Sequence, residues 1–258
     1  MNRLFAYLPC FNEENNIIDL AFAWEAQAEA LERNGFSLVV IAIDDKSEDS
    51  TLSIIRELEQ NLNRFYVIAH DVNKGLGGAL NTAVSSFLSE AEPGDYMAFM
   101  DGDNTHRPVY ACDMLNRCAS GTECVIASRY QKGSLVVGVP RLRQLLSSAA
   151  RLYYRLFLHI PNVRDYTCGF RVYSYDCLAK AKNIYADKLI TQRSFSCMME
   201  LLYKLYRSGC DFTELPFTLR YDNKRGTSKM KIFRTAGNSV LLALKLRFNT
   251  EATKNGYG

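Results

Sequence analysis

The sequence predicts an α/β fold: a Rossmann-like, mostly parallel central sheet flanked by helices. Three observations predict it. Apolar runs of strand length alternate with helix-length segments over the first 128 residues. The runs are apolar throughout, as in Leu38-Val39-Val40-Ile41-Ala42-Ile43, which suits parallel strands covered on both faces. Acidic motifs follow two of these runs directly, at the strand ends where ligands bind in open α/β sheets. With 258 residues and an apolar fraction of 48%, the chain can build a sizeable core.

The elements follow in order. Leu4 to Leu8 reads as a buried first strand, closed by Pro9-Cys10-Phe11-Asn12-Glu13. Asn12 suits an N-cap, so a helix is expected from there to Arg33, stopped by Asn34-Gly35. Phe36 to Ile43 is the second strand. Asp44-Asp45-Lys46-Ser47-Glu48-Asp49-Ser50-Thr51 leads into a helix that ends near Asn61. One of these acids caps that helix; the others can accept hydrogen bonds from a base or ribose. Phe65 to His70 is the third strand. Lys74-Gly75-Leu76-Gly77-Gly78-Ala79 then opens a helix to about Ser89 and places glycines and a lysine where anions are favoured. Its spacing is not the dinucleotide fingerprint. Asp95 to Met100 is the fourth strand, followed by a helix near 109–119 and a fifth strand at 123–128.

Asp101-Gly102-Asp103 closes the fourth strand. Two carboxylates one residue apart are costly unless a cation lies between them, and a hard divalent cation with oxygen ligands is the usual answer. The alternative is a solvated Asp-Gly turn. Gly102 lets the backbone turn sharply and approach a ligand.

Net charge is only +3 but unevenly placed. Residues 1–128 hold 8 Lys+Arg against 20 Asp+Glu, net −12, and residues 129–258 hold 23 against 8, net +15. The second half therefore expects an anionic partner, phosphate or a membrane surface. Eight scattered cysteines form no CxxC pair, which argues against zinc and for reduced thiols in the cytoplasm. The N-terminus enters a strand at once, so no signal peptide is expected. Arg141 to His159 reads as an amphipathic helix, either packed on the core or lying on a membrane surface. Ile232 to Phe248 is similar, and too short and charged to span a bilayer.

Pro9-x-x-Asn12-Glu13, Asp44-Asp45-x-Ser47-x-Asp49-x-Thr51, Lys74-Gly75-x-Gly77-x-Ala79 and Asp101-x-Asp103 occur in the order and spacing of the GT-A glycosyltransferases of family 2, which the chain resembles. Ser128-Arg129-Tyr130-x-x-Gly133, Arg143-x-x-x-Ser147, Asp165-x-Thr167-x-Gly169-Phe170-Arg171, Glu200, Glu214-Leu215-Pro216 and Arg225-Gly226-x-Ser228-Lys229 look like the polyprenyl-phosphate sugar transferases, the short dolichyl-phosphate mannose synthases in particular.

The resemblance implies a GT-A fold and an inverting transfer of mannose or glucose from a GDP- or UDP-sugar to a polyprenyl or dolichyl phosphate. A family 2 transferase with a soluble acceptor is the alternative. It assigns Asp101 and Asp103 to Mg2+ or Mn2+. Pro9, Asn12, Glu13, Asp45, Lys74, Gly75, Asp101 and Gly102 form the donor set. Arg129, Arg143, Ser147, Arg171, Arg225 and Lys229 form the acceptor-phosphate cradle, because arginine offers a bidentate fork. Asp103, Asp165 and Arg143 are the expected catalytic residues. Asp165 either contacts sugar hydroxyls or orients an arginine, with Arg171 as the structural partner. Thr105 stands where some members supply a metal ligand, and His106 reads as a loop hydrogen-bonding residue. A single catalytic domain spans 1–248, with a donor half at 1–128, an acceptor half at 129–248 and a disordered tail at 249–258. The expected location is cytoplasmic, extending to the cytoplasmic face of a membrane, by peripheral contact or a small membrane partner subunit. No nucleic-acid partner is expected.

Overall fold

A computed structural model describes residues 1–223, 225 and 242–248, without the side chains of 141–143. The Arg143 side chain, Lys229, residues 232–241 of the second amphipathic segment and the 249–258 tail therefore lie outside the described residues.

The main sheet has seven strands: β1 (Asn2–Cys10), β2 (Phe36–Asp44), β3 (Phe65–Ala69), β4 (Tyr96–Phe99), β5 (Cys124–Ser128), β7 (Arg171–Ser174) and β8 (Phe212–Pro216). Its order is β3-β2-β1-β4-β7-β5-β8. β1 to β4 run parallel, and β5 runs parallel to β8. β7 is antiparallel to both of its neighbours, β4 and β5. Two short strands, β6 (Leu135–Val137) and β9 (Thr218–Arg220), pair apart from it.

Helices α1 (Ile17–Glu25), α2 (Ala28–Arg33), α3 (Thr51–Asn61), α4 (Gly75–Glu90), α5 (Ala111–Ala119), α7 (Tyr175–Tyr185) and α8 (Cys197–Arg207) accompany the main sheet. α6 (Arg141–Phe157) follows β6, and residues 242–248 are helical. β1 is apolar and fully buried from Leu4 to Leu8, as parallel strands covered on both faces require. Trp24 of α1 is buried too, with its ring edge-on to Phe170.

The expected first helix is divided and starts later. Asn12 is not its N-cap: its φ is +55°, the left-handed region that Asn tolerates. Its N–H donates to Ser47 Oγ (3.0 Å), and its Oδ1 accepts from Glu48 N (2.7 Å). Asn12 thus ties the loop after β1 to the loop after β2.

α6 does not pack all of its leucines on the core. Leu145, Leu152 and Leu156 are 72%, 58% and 70% exposed, so the stripe at i, i+7 and i+11 faces away from the core. Tyr154 and Leu158 are the buried anchors at the end of this helix. No helix among the described residues is long and apolar enough to cross a membrane.

Candidate active site

The parallel register brings three loops to one sheet edge. Cys10 lies opposite Asp44, and Tyr7 opposite Phe99, so β1, β2 and β4 end together. The residues that follow are 11–16, 45–50 and 100–107. The antiparallel β7 brings in a fourth group. Arg171, its first residue, pairs with Phe99, the last of β4, so 165–170 arrives at the same edge. β5 ends beside it, with Ile126 opposite Arg171.

Asp101-Gly102-Asp103 lies where these loops meet. A Cβ on Gly169 would fall 2.6 and 2.8 Å from the Asp101 carboxylate oxygens, so bare backbone is required there. Gly102 is needed for packing: a Cβ would meet the Pro9 carbonyl oxygen at 2.7 Å. This close neighbour belongs to the chain's own β1, so the packing against β1 alone already requires a glycine here. Asp103 Oδ1 accepts from the Thr105 hydroxyl (2.6 Å) and backbone N–H (3.2 Å).

These residues fit a hard divalent cation. The two carboxylates are oxygen donors held at one strand end. No group of three His, Cys, Asp or Glu gathers into a metal cage among the described residues. Such a pair suits Mg2+ or Mn2+ completed by substrate phosphate oxygens.

The Asp45 carboxylate is buried and closes the start of α4. Its Oδ1 accepts from Lys74 N (2.7 Å) and from His70 Nδ1 (2.8 Å), and its Oδ2 accepts from Gly75 N (2.7 Å). The anion expected at this helix end is therefore supplied by the chain itself. The glycines serve packing as well. Gly75 has φ +73°, and a Cβ on Gly77 would lie 1.7 Å from the Gln192 carbonyl oxygen. The Gln192 carbonyl belongs to a strap at 190–193, which Glu200 pins by accepting from Thr191 N, Thr191 Oγ1 and Gln192 N at 2.6 to 2.9 Å. Lys204 donates to Glu200 and to the carbonyls of Lys188 and Leu189. The sequence showed the glycines but gave no sign of the strap that needs them.

In the second half, Asp165 pairs with Arg129, not with Arg171. Arg129 forks onto it, Nε to Oδ2 at 2.8 Å and Nη2 to Oδ1 at 2.6 Å, and Nη2 also donates to Thr167 Oγ1 (2.7 Å). The backbone N–H groups of Arg129, Thr167 and Cys168 complete the carboxylate's shell. Burial alone would raise the Asp165 pKa, but the Arg129 charge and these hydrogen bonds hold it below the ordinary carboxylate value. Glu214 accepts from the N–H groups of Arg164 and Asp165, both at 2.6 Å, which fixes the same turn. Burial raises its pKa above the usual glutamate range.

Arg171 is removed from the phosphate cradle. It is fully buried and donates to the carbonyls of Met198 (2.7 Å) and Tyr166 (2.9 Å). Arg225 is placed at the start of α1, exchanging backbone hydrogen bonds with the Asn16 side chain and pairing with Asp19 at 3.2 Å. Asn16 also donates to Glu13 (2.7 Å), whose own N–H donates to Thr51 Oγ1. Ser147 is half-buried on α6, and Lys74 is exposed. Arg151 of α6 was read from the sequence only as part of the charged face of that helix, with Arg155. Its guanidinium lies 4.5 Å over the Tyr130 ring, which Arg129 flanks at 5.5 Å.

A family model described as glycosyl transferase family 2 matches residues 6–181. The chain is 30% identical over 225 residues to dolichol-phosphate mannosyltransferase of Pyrococcus furiosus, covering 87% of this chain. It spans 58% of the length of that relative. It is 29% identical over 230 residues to undecaprenyl-phosphate mannosyltransferase of Micrococcus luteus, covering 88% of this chain and 87% of that protein. In fold it is similar to glucosyl-3-phosphoglycerate synthase from Mycobacterium tuberculosis, solved with Mn2+, uridine diphosphate and glucosyl-3-phosphoglycerate. The TM-score is 0.65 at 17% identity, over 95% of this chain and 80% of that one. A GT-A fold with the diacid at the shared strand edge, and a family match over most of the sheet, identify the chain as a glycosyltransferase that belongs to family 2.

Proposed function

We propose that the chain transfers a mannosyl group, with inversion, from a nucleotide-mannose to a polyprenyl phosphate. The observation that carries this reading is the contact between the halves: Gly169, of the Asp165 turn, lies against the Asp101 carboxylate. A donor held at Asp101-Gly102-Asp103 would present its sugar to the side where Arg129 lies. The relatives' names supply the sugar and the acceptor class. The chain is read as one catalytic domain over 1–248, donor half first.

In this reading Asp101 and Asp103 would hold Mg2+ or Mn2+, which would neutralise the charge of the leaving diphosphate. The acceptor phosphate is already ionised at neutral pH, so it needs orientation rather than a strong base. One of its oxygens bonds to the anomeric carbon as the bond from that carbon to the nucleoside diphosphate breaks, and the bonding pair leaves with the diphosphate. Asp165 takes no proton in this step, because its oxygens are filled by the Arg129 fork and three amides. It positions Arg129, which with Arg151 and Arg143 offers positive charge to the acceptor.

A lipid acceptor also needs the site at a bilayer. The exposed leucine stripe of α6, with Arg155 exposed beside it, fits peripheral contact with an anionic membrane surface. The test supplies Mn2+, GDP-mannose or UDP-glucose, and either a short polyprenyl phosphate or 3-phosphoglycerate, with products read by mass spectrometry. A polyprenyl phosphomannose product is expected. Transfer to the soluble phosphate alone would overturn the lipid reading in favour of a soluble acceptor.

A further inference from the structure

His106 is one of three histidines in the chain, and it is buried. Its ring stacks on Phe217 at 5.3 Å and meets Phe170 edge-on at 6.1 Å. Nδ1 lies 3.2 Å from Thr105 Oγ1, and Nε2 lies 3.5 Å from Cys168 Sγ. Each contact continues a chain of hydrogen bonds. Thr105 Oγ1 is 2.6 Å from Asp103 Oδ1, and the Cys168 N–H donates to Asp165 Oδ1 at 3.0 Å.

The direction of the chain follows from its acid end. An ionised carboxylate only accepts, so the single Thr105 hydroxyl proton goes to Asp103. Thr105 Oγ1 must then accept from His106, which places a proton on Nδ1. A neutral ring protonated at Nδ1 has its lone pair on Nε2, facing the Cys168 thiol. Burial raises the thiol's pKa, so it keeps the proton it donates to Nε2. The donors Cys168 S–H, His106 Nδ1–H and Thr105 O–H thus point in sequence toward Asp103.

Resting on the proposed function, we infer that Thr105 and His106 are positioning residues that orient the Asp103 carboxylate for the cation and tie it, through Cys168, to the Asp165–Arg129 turn. Thr105 then acts on the cation through Asp103, to which its hydroxyl proton is committed. His106 works at one remove, with its ring plane held by Phe217 and Phe170. A further bond supports the connection: the Thr105 carbonyl accepts from Arg220 N (3.0 Å), at the end of β9. The diacid loop of the donor half is therefore held at Cys168, Phe217 and Arg220, all in the acceptor half.

The test reads cation affinity without turnover. The full chain is titrated with Mn2+ at fixed GDP, and the Mn2+ midpoint is read from the melting temperature. Thr105→Ser keeps the hydroxyl and should stay within about twofold of wild type. Thr105→Val should raise the midpoint about tenfold. His106→Phe keeps the stacking and loses both hydrogen bonds, and should raise it about fivefold or more. Cys168→Ala removes the donor furthest from the cation and should raise it about threefold, whereas Cys168→Ser should not. Equal midpoints for Thr105→Val and Thr105→Ser would overturn the inference, and so would a Cys168→Ala midpoint equal to wild type. If one variant fails to fold, the other pair still decides. A wild-type protein whose melting temperature ignores Mn2+ with GDP would sink the proposed donor site as well, so the two failures are distinct.

Discussion

Arg129→Ala should cost both stability and acceptor use, and the size of the stability loss can be worked from the structure. Asp165 is 0% exposed and receives two charge-assisted bonds from the Arg129 guanidinium. Removing one partner of such a pair leaves a buried carboxylate uncompensated, which costs roughly 3–5 kcal/mol. Three backbone N–H groups still reach Asp165 in the variant, so the lower end, about 3 kcal/mol, applies. For a chain of this size that is a fall in Tm of roughly 6–12 °C. The pH sign follows from linkage. The paired Asp165 has a lowered pKa, so its stabilising contribution is present above the unfolded carboxylate value and is lost as pH falls through the folded value. Burial without Arg129 raises the pKa instead, so the variant's deficit should be full near pH 7 and shrink as Asp165 protonates in acid. Calorimetric scans from pH 7 to 4 on wild type, Arg129→Ala, Asp165→Asn and the double variant give the coupling. The double variant should lose clearly less than the sum of the singles. Strict additivity, or a Tm change under about 2 °C at pH 7, would refute the reasoning.

Asp103→Asn should fold normally and lose transfer by roughly a hundredfold or more at saturating Mn2+, since an amide does not replace an oxygen anion at a cation site; near-normal turnover would dismiss the metal assignment. GDP or UDP should raise the melting temperature only with a divalent cation present, because the donor half carries net −12; equal stabilisation in EDTA would show that the diphosphate is held otherwise. Gly169→Ala places a methyl 2.6 to 2.8 Å from the Asp101 oxygens, so the carboxylate must shift. That variant should lose activity and raise the Mn2+ midpoint with a smaller loss of Tm than Arg129→Ala, and an unchanged Mn2+ midpoint would contradict it.

The sheet-forming runs and the residues that follow them are readable from local sequence. Continuous apolar strands encode burial on both faces, and acids placed after a strand are at its carboxyl end whatever the rest of the chain does. Asp45 and Asp101-Gly102-Asp103 were therefore legible as edge residues, and the motif order made the family legible as well. The non-local partners emerge only once the chain is packed. Nothing in the spacing of Asp165 and Arg171 shows that the nearer arginine turns into the core while Arg129, 36 residues upstream, takes the carboxylate. That choice follows from β7 entering antiparallel between β4 and β5, a pairing that local periodicity does not encode. Gly75 and Gly77 are equally visible in sequence, but the Gln192-Arg193 backbone that excludes a Cβ at both comes from a segment more than a hundred residues away. α6 shows the same limit: its amphipathic period marks a stripe, and only the packed chain shows which face the core takes and which stays open.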